Sequence, residues 1–287
     1  MRPSVLPSFA LFTALALAAA LFAGVFACGG PRAEPTPNPP AAPSPSLGPL
    51  PAWPTPAPYD LAADVAMRQS LATPHLFQHV ATRVEDGVFV LAASYDRPAL
   101  LDDAARRTHE ALAALLHDRF TEPPSRAVTV YVIDNPLDWN ILCVERLGHP
   151  CPPTWLGAWF KESRELFVNQ QLGPTTLVHE LVHPLIEPSG VPRWLREGIA
   201  ALYEQPEVHG LEIHGTTNWR VDDLRRALRS PVDRDLAHLD ALFRMPDDLF
   251  DGDHQLAAYA VVRFACQWMD LPKQDGLWRF YRAWRDG

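Results

Sequence analysis

The stretch TTLVHELVHPLIEPSGVPRWLREGIAALYE, residues 175–204, decides the architecture of this 287-residue chain. Apolar residues flank His179, Glu180 and His183 on both sides, at spacings typical of a buried helix. After a short break rich in proline and glycine, a second apolar stretch predicts another helix over 192–204. We therefore expect two consecutive helices, the first with a polar centre, in the middle of the fold.

The two histidines of the first helix point to a metal ion. Because His179 and His183 are four residues apart, their side chains project from the same face of the helix, about one turn from each other. Glu180 lies one position further round, where it can handle a metal-bound water without being a ligand. Burying three ionisable groups is costly unless a partner satisfies them. A divalent cation is the simplest such partner.

A third ligand, Glu197, is available on the second helix, which opens with PRWLREGIA at 192–200. The whole stretch resembles the gluzincin zinc metallopeptidases, specifically the minimal peptidase MA-like families and, more distantly, the aminopeptidase N-like enzymes. The resemblance implies a zincin-like catalytic domain that holds one Zn²⁺ through His179, His183 and Glu197, with Glu180 as general base. It also implies hydrolysis of a peptide or protein substrate by a metal-activated water.

Other candidates for the third ligand fit less well. A metzincin needs a histidine six residues after His183, and that position is Ser189. Glu187 lies about 12 Å along a straight helix from the first histidine and cannot reach the same ion. Glu204 falls on the face of Glu197 two turns further on, which suits a supporting or solvated role.

The chain departs from the family pattern at two positions. Pro184 directly follows the second histidine, removes a helical N–H and presses on the carbonyl of Glu180, so we expect the helix to kink or end there. Thermolysin-like enzymes place an aspartate four residues after the glutamate ligand to orient a histidine, and this chain has Ala201 instead. The orienting group must come from elsewhere. Gly198 is expected to let the two helices of the motif approach closely.

The implied chemistry needs a further donor to stabilise the oxyanion. By the family layout this donor is Tyr259, on a helix after the ligand pair, with Tyr203, His209 and His214 as alternatives. A predicted strand at 157–160, just upstream of the motif, could pair with an extended substrate by strand addition.

The rest of the chain predicts an α+β fold, with a small mixed sheet followed by a mainly helical half. Hydrophobic periodicity predicts helices over 61–71, 98–119, 137–147, 174–186, 219–229, 236–244, 253–270 and 275–285. Strands are predicted over 87–94, 127–134, 155–160 and 165–169. The folded domain is expected to span residues 59–287.

The N-terminus is expected to direct export. An apolar run over 9–26 follows Arg2, and the cysteine after Ala27 resembles the lipidation site of a bacterial lipoprotein signal. In that interpretation Cys28 is the lipidated first residue of the mature chain. Ordinary secretory cleavage after Ala27 and an uncleaved membrane-spanning anchor are the alternatives.

The lipoprotein interpretation divides the chain into a signal peptide over residues 1–27, a disordered Pro/Ala-rich linker over 28–58 and the catalytic domain. The domain would be exported and tethered to the cell envelope by its N-terminal lipid, at the periplasmic side or the surface of the outer membrane. The membrane would then be one of its partners.

Export would also permit a disulfide between Cys143 and Cys151, which flank a short loop. Cys266 lies in an apolar helical pattern and is expected to be a buried free thiol. The formal charge of −9 is spread along the chain without a Lys/Arg-rich run, which argues against a nucleic-acid partner.

Three functional hypotheses are therefore open. The first is the zinc peptidase, which the intact His-Glu-His-Glu set favours. The second is a catalytically inactive, peptidase-like lipoprotein that acts as a binding or assembly module. The third is a structural envelope protein in which the motif is accidental.

Overall fold

The computed structural model describes residues 58–72, 80–94, 97–152, 155–173, 176–186, 190–271 and 276–286. The expected signal peptide, Cys28 and all of the expected linker but Pro58 lie outside these ranges. Among the described residues, no helix is both long enough and apolar enough to cross a bilayer.

The fold is α+β, as predicted, with one small mixed sheet, one hairpin and many helices. The strands are β1 (Val80–Glu85), β2 (Phe89–Ser94), β3 (Val128–Ile133), β4 (Gly157–Phe160), β5 (Glu165–Asn169), β6 (Pro206–His209) and β7 (Glu212–Gly215). The α-helices are α1 (Leu61–Leu71), α2 (Pro98–Asp118), α3 (Pro136–Leu147), α4 (Thr176–Ile186), α5 (Arg193–Leu202), α6 (Arg220–Arg229), α7 (Leu239–Phe243), α8 (Gln255–Met269) and α9 (Gly276–Arg285). Among the described residues, short 3-10 helices cover Gln170–Leu172, Arg234–Ala237 and Asp247–Phe250.

The five-stranded sheet has the strand order β1-β2-β3-β5-β4. Its three inner strands run parallel, and each edge strand runs antiparallel to its neighbour. The central strand β3 is buried along its whole length, and its side chains alternate between the two faces of the sheet. Val128, Val130 and Val132 face the main core, whereas Tyr131 and Ile133 face a smaller cluster. The edge strand β4 pairs on one side only within the described part of the chain.

The main core lies between one face of the sheet and helices α2, α4, α5 and α8. α5 and α8 pack closely because Gly198 of α5 faces α8: a Cβ at Gly198 would lie 2.6 Å from Cys266 Sγ and 3.0 Å from the carbonyl oxygen of Val262. The close approach that Gly198 allows is therefore between α5 and α8, not between α4 and α5 as the motif suggested. Cys266 is a buried free thiol, as predicted.

The smaller cluster, on the other face of the sheet, includes the predicted disulfide. Cys143 in α3 is bonded to Cys151 beyond the end of that helix, with Cα atoms 5.4 Å apart. Gly148 ends α3 in the left-handed conformation, with φ of 76°, which turns the chain back towards Cys143. Both cysteines are buried beside Trp139 and Phe167. The bond therefore fastens α3 to the segment that leads into β4.

Replacing Cys143 and Cys151 by serine should lower the free energy of unfolding by about 2–3 kcal/mol, because the bond closes a short loop in the unfolded chain. Urea unfolding of the wild-type protein and the double variant, both without reductant, measures the difference. Reductant should bring the wild-type protein to the stability of the variant. Equal stabilities without reductant would contradict the prediction.

Four elements differ from the sequence-based expectation. β1 was not predicted, because its six residues are only partly buried and lack a clear apolar face. The hairpin β6–β7 was missed because its strands are short and polar, with Ile213 as the one buried side chain among its described strand residues. The helix predicted over 236–244 is divided by the extended backbone of His238, where ψ is 140°. α8 begins only at Gln255, after the 3-10 turn that precedes it.

Candidate metal centre

The candidate metal centre is built on α4, whose buried residues include His179 and Glu180. Pro184 lies inside this helix, which continues past the proline to Ile186, the last described residue before the gap at 187–189. His183 nevertheless keeps its direction, because its ring lies 5.1 Å from the ring of His179, centroid to centroid. The described helix therefore does not end at the proline, and the second histidine stays beside the first.

The side chain of Glu197 reaches this pair from α5. Its Oε2 atom lies 3.8 Å from Nε2 of His179 and 3.8 Å from Nε2 of His183. Glu180 Oε2 lies 3.9 Å from Nε2 of His183. Ligand atoms from His179, Glu180 and His183 all lie within 4.8 Å of one another, so this group can hold a metal ion.

Two carboxylates thus border the site, at nearly the same distance from His183 Nε2: 3.8 Å for Glu197 and 3.9 Å for Glu180. Zinc bonds of about 2.1 Å in a tetrahedron place ligand atoms about 3.4 Å apart. Glu197 Oε2 is equidistant from both imidazoles and within about half an ångström of that spacing. Glu180 borders one edge of the site, nearer to His183. Both carboxylates are therefore candidate ligands of an ion held by the two imidazoles, and Glu197 is the one at equal distance from both.

Arg193 holds the other oxygen of Glu197. Its Nε lies 3.8 Å from Glu197 Oε1, one helical turn away on α5. The guanidinium is fixed in turn by Asp251, at 2.6 and 2.7 Å, and by the carbonyl oxygen of Asp247 at 2.9 Å. Glu197 is therefore oriented with Oε1 towards Arg193 and Oε2 towards the histidines.

Several polar atoms of the site are buried without a hydrogen bond. Glu180 Oε2, Glu197 Oε2 and His179 Nδ1 have no hydrogen-bond partner among the described residues. Leaving such an atom unsatisfied costs about 1–3 kcal/mol, and more if it is charged. A cation between the imidazoles and the carboxylates would satisfy the two oxygens. The donor set, two imidazoles and one carboxylate, is the type that zinc takes in catalytic sites.

Burial sets the protonation states of this centre. Burial first, and then the neighbouring His183, lower the pKa of His179 to about 3, so its imidazole is neutral and able to bind a metal near neutral pH. Burial, with the added charges of Glu197 and Glu204, raises the pKa of Glu180 well above its ordinary range. Glu180 can therefore hold a proton more readily than an exposed glutamate.

A further buried carboxylate, that of Glu204, lies beside His179 without a hydrogen bond to it. This carboxylate, 1% exposed, follows the end of α5, and its Oε1 atom lies 3.7 Å from His179 Nδ1. Arg220 and Asn218 hold it by hydrogen bonds. In the thermolysin-like pattern, an aspartate at the position of Ala201 would lie beside the histidine. Here Ala201 is buried in the core, and the carboxylate beside His179 is that of Glu204. The sequence indicated this position only through the spacing of seven residues, which places Glu204 on the same helix face as Glu197.

The strand β4 covers Glu180 from the sheet side. A Cβ at Gly157 would lie 2.7 Å from Cγ and 2.8 Å from Cδ of Glu180, so only glycine allows this approach. The edge of the sheet and the carboxylate beside the metal position are therefore in direct contact.

Of the four residues considered as oxyanion donors, the structure brings Tyr259 to the site. Its ring lies 6.4 Å from the ring of His179. Burial, followed by the charge of Glu197, raises the pKa of Tyr259 well above its ordinary range, so the phenol keeps its proton. Tyr203 is buried, and its pKa is raised by burial and by the charge of Asp270.

The two histidines considered as donors lie on the exposed face of the hairpin. His209 pairs with Glu207 at 3.8 Å, and His214 pairs with Glu212 at 3.7 Å. Both imidazoles are more than half exposed, unlike the buried histidines of α4. These two histidines therefore belong to a solvent-exposed face of the hairpin and not to the metal centre.

No model of a known protein family matches the chain, and no curated protein is significantly similar to it in sequence.

His179 should make the metal-free protein less stable as the pH falls from about 6.5 towards 3. Its pKa is about 3 in the fold, against 6.5 in the unfolded chain, so between these values the unfolded chain binds a proton that the folded protein does not. This difference removes up to about 1.4 kcal/mol per pH unit. Urea unfolding of the chelator-treated protein at several pH values should show a smaller decrease for His179→Leu than for wild type. Equal decreases would contradict the prediction.

Proposed function

We propose that this chain is a zinc-dependent peptidase with a zincin-like catalytic domain. The observation that carries the proposal is the convergence of Glu197 Oε2 on Nε2 of both His179 and His183, at 3.8 Å each. The buried, unsatisfied oxygen of Glu180 beside them supports it. A structural site would need no such carboxylate, whereas hydrolysis needs a base next to the metal.

Zinc bound to His179, His183 and Glu197 would lower the pKa of a water ligand and polarise the scissile carbonyl. Glu180 would accept the proton of the attacking water and later donate it to the leaving amine. Its buried carboxyl suits both steps, since burial raises its pKa and lets it hold the proton between them. The protonated phenol of Tyr259 is the proposed donor to the oxyanion.

An extended peptide would bind along β4. This strand is at the edge of the sheet, and its first residue, Gly157, contacts Glu180. A peptide that adds to this edge by backbone hydrogen bonds would pass beside the base. Strand addition uses hydrogen bonds to the substrate backbone. We therefore propose that the substrates are peptides or proteins and that their side chains are not all specified.

We further propose that the protein is exported and is tethered to the cell envelope through Cys28. The Cys143–Cys151 disulfide supports export, because such bonds persist in oxidising compartments. Lipid labelling of the wild-type protein and of Cys28→Ala in a bacterial host tests the anchor. Equal labelling of both proteins would contradict it.

Metal content and hydrolysis test the peptidase proposal together. The purified full-length protein should contain about one zinc ion and should cleave members of a peptide library, detected by mass spectrometry. A chelator should stop cleavage, and added zinc should restore it. Zinc without hydrolysis of any peptide would favour the binding or assembly module. Protein that neither contains nor binds zinc would contradict the metal centre itself.

A further inference from the structure

Arg220, the first residue of α6, connects two parts of the centre that are distant in sequence. It is 7% exposed, and it is not one of the proposed metal ligands. Its guanidinium lies between the carboxylate of Glu204 and the ring of Tyr259. Each of these two neighbours lies beside His179.

The edge of the guanidinium fixes Glu204. Arg220 Nε donates to both oxygens of Glu204, at 2.8 and 2.7 Å, and an Nη atom donates to Oε1. Asn218 Nδ2 donates to Glu204 Oε2 at 2.9 Å, while Asn218 Oδ1 accepts the backbone N–H of Arg220 at 3.1 Å. Glu204 therefore has little freedom to rotate away from His179 Nδ1.

The face of the same guanidinium lies on Tyr259. Its Cζ is 4.8 Å from the centre of the Tyr259 ring, a cation–π distance. Phe250 packs edge-on against this ring at 5.2 Å, centroid to centroid. The aromatic ring thus contacts the face of the Arg220 guanidinium, while Glu204 contacts its edge.

Only arginine combines these two contacts. A planar guanidinium presents a fork of N–H donors at its edge and a flat face for an aromatic ring, whereas a lysine ammonium is a point charge. Glu204 is almost completely buried, so loss of its partner would leave an unpaired charge near the metal position. Arg220 has a positive charge in this buried region, where Glu180 and Glu197 also lie.

We infer that Arg220 is a positioning residue: supported by the Tyr259 ring, it holds Glu204 so that this carboxylate orients His179 for metal binding. The inference rests on the proposed zinc site, and it assigns the ring of Tyr259 a role in metal affinity that is separate from that of its hydroxyl.

Zinc affinity of the full-length protein, measured by competition with a chelator, tests the role of Arg220. Arg220→Lys and Arg220→Gln should each weaken zinc binding by about 10- to 100-fold, the usual effect of losing a group that orients a ligand. Glu204→Gln should have a similar effect. Combining Arg220→Lys with Glu204→Gln should add little to the larger single loss, because both changes break the same link. Wild-type affinity in a folded Arg220 variant, or fully additive losses, would overturn the inference.

Arg263→Lys is the matched control for loss of a buried arginine. Arg263 is 0% exposed and also lies near the centre, but it donates to Gln267 Oε1 and to the carbonyl oxygen of Thr216. This variant should lose stability and keep zinc affinity within about threefold of wild type, well below the loss at an orienting residue. A loss in Arg263→Lys as large as in Arg220→Lys would overturn the specific role of Arg220.

Two substitutions of Tyr259 separate its ring from its hydroxyl. Tyr259→Phe keeps the ring and should bind zinc like wild type, whereas Tyr259→Leu removes the ring and should bind it several-fold more weakly. The absorption spectrum of the cobalt-loaded protein should change in Tyr259→Leu and in Arg220→Lys, but not in Tyr259→Phe. Equal behaviour of the two Tyr259 variants would overturn the support role. A wild-type protein without zinc affinity would overturn the proposed function as well, whereas zinc binding that is insensitive to Arg220 would overturn this inference alone.

Discussion

Glu180→Gln should remove nearly all peptide hydrolysis and leave the zinc in place. The amide has almost the same shape as the carboxylate but cannot accept a proton from water, and a general base contributes about 10²- to 10⁴-fold to such a reaction. The side chain is buried against Gly157, so the substitution should not open the site to solvent. Turnover number and metal content, measured on the same preparation, give the result.

Glu207→Gln is a suitable control for that variant. Glu207 is an exposed carboxylate of the hairpin, paired with His209 at 3.8 Å, and its loss should change neither zinc content nor turnover. Activity of Glu180→Gln near the wild-type level would contradict the assignment of the base. Loss of zinc from Glu180→Gln would instead indicate that Glu180 is itself a ligand.

Gly157→Ala should lower turnover by about 100-fold, because a displacement of about 1 Å in a reacting group can have that effect. The added methyl would lie 2.7 Å from Cγ and 2.8 Å from Cδ of Glu180, closer than such atoms can approach. Either the carboxylate or the strand β4 must move. Zinc should stay bound, because His179, His183 and Glu197 are not displaced directly.

Gly276→Ala provides the same chemical change without the collision. A Cβ at Gly276 would lie 3.5 Å from the carbonyl oxygen of Met269, an ordinary contact. Its turnover should match that of wild type. If Gly157→Ala were equally active, Glu180 would not need the position that the structure gives it.

The local parts of the centre could be predicted from sequence. The spacing of His179 and His183 depends only on helical geometry, and the apolar residues around them specify a buried helix. Glu197 followed from the resemblance of the second helix to a known motif. The α+β class and most element bounds followed from periodicity in the same way.

The parts that depend on tertiary structure could not be predicted. Arg220 meets Glu204 only because α5 ends at Leu202 and the hairpin β6–β7 returns the chain across sixteen residues. The short polar strands of that hairpin gave no usable periodicity. Gly210, with φ of 65° at its turn, was the signal that could have identified it.

The edge strand β4 has a consequence for how substrate and product would be held. It contains four residues, about 13 Å of extended chain, so a peptide added to it could pair over only about four residues. Because Gly157 is the first residue of the strand, cleavage beside it would leave most of those backbone hydrogen bonds with one fragment. The other fragment would keep few of them and would leave first, whereas the paired fragment would be held over about four residues at most.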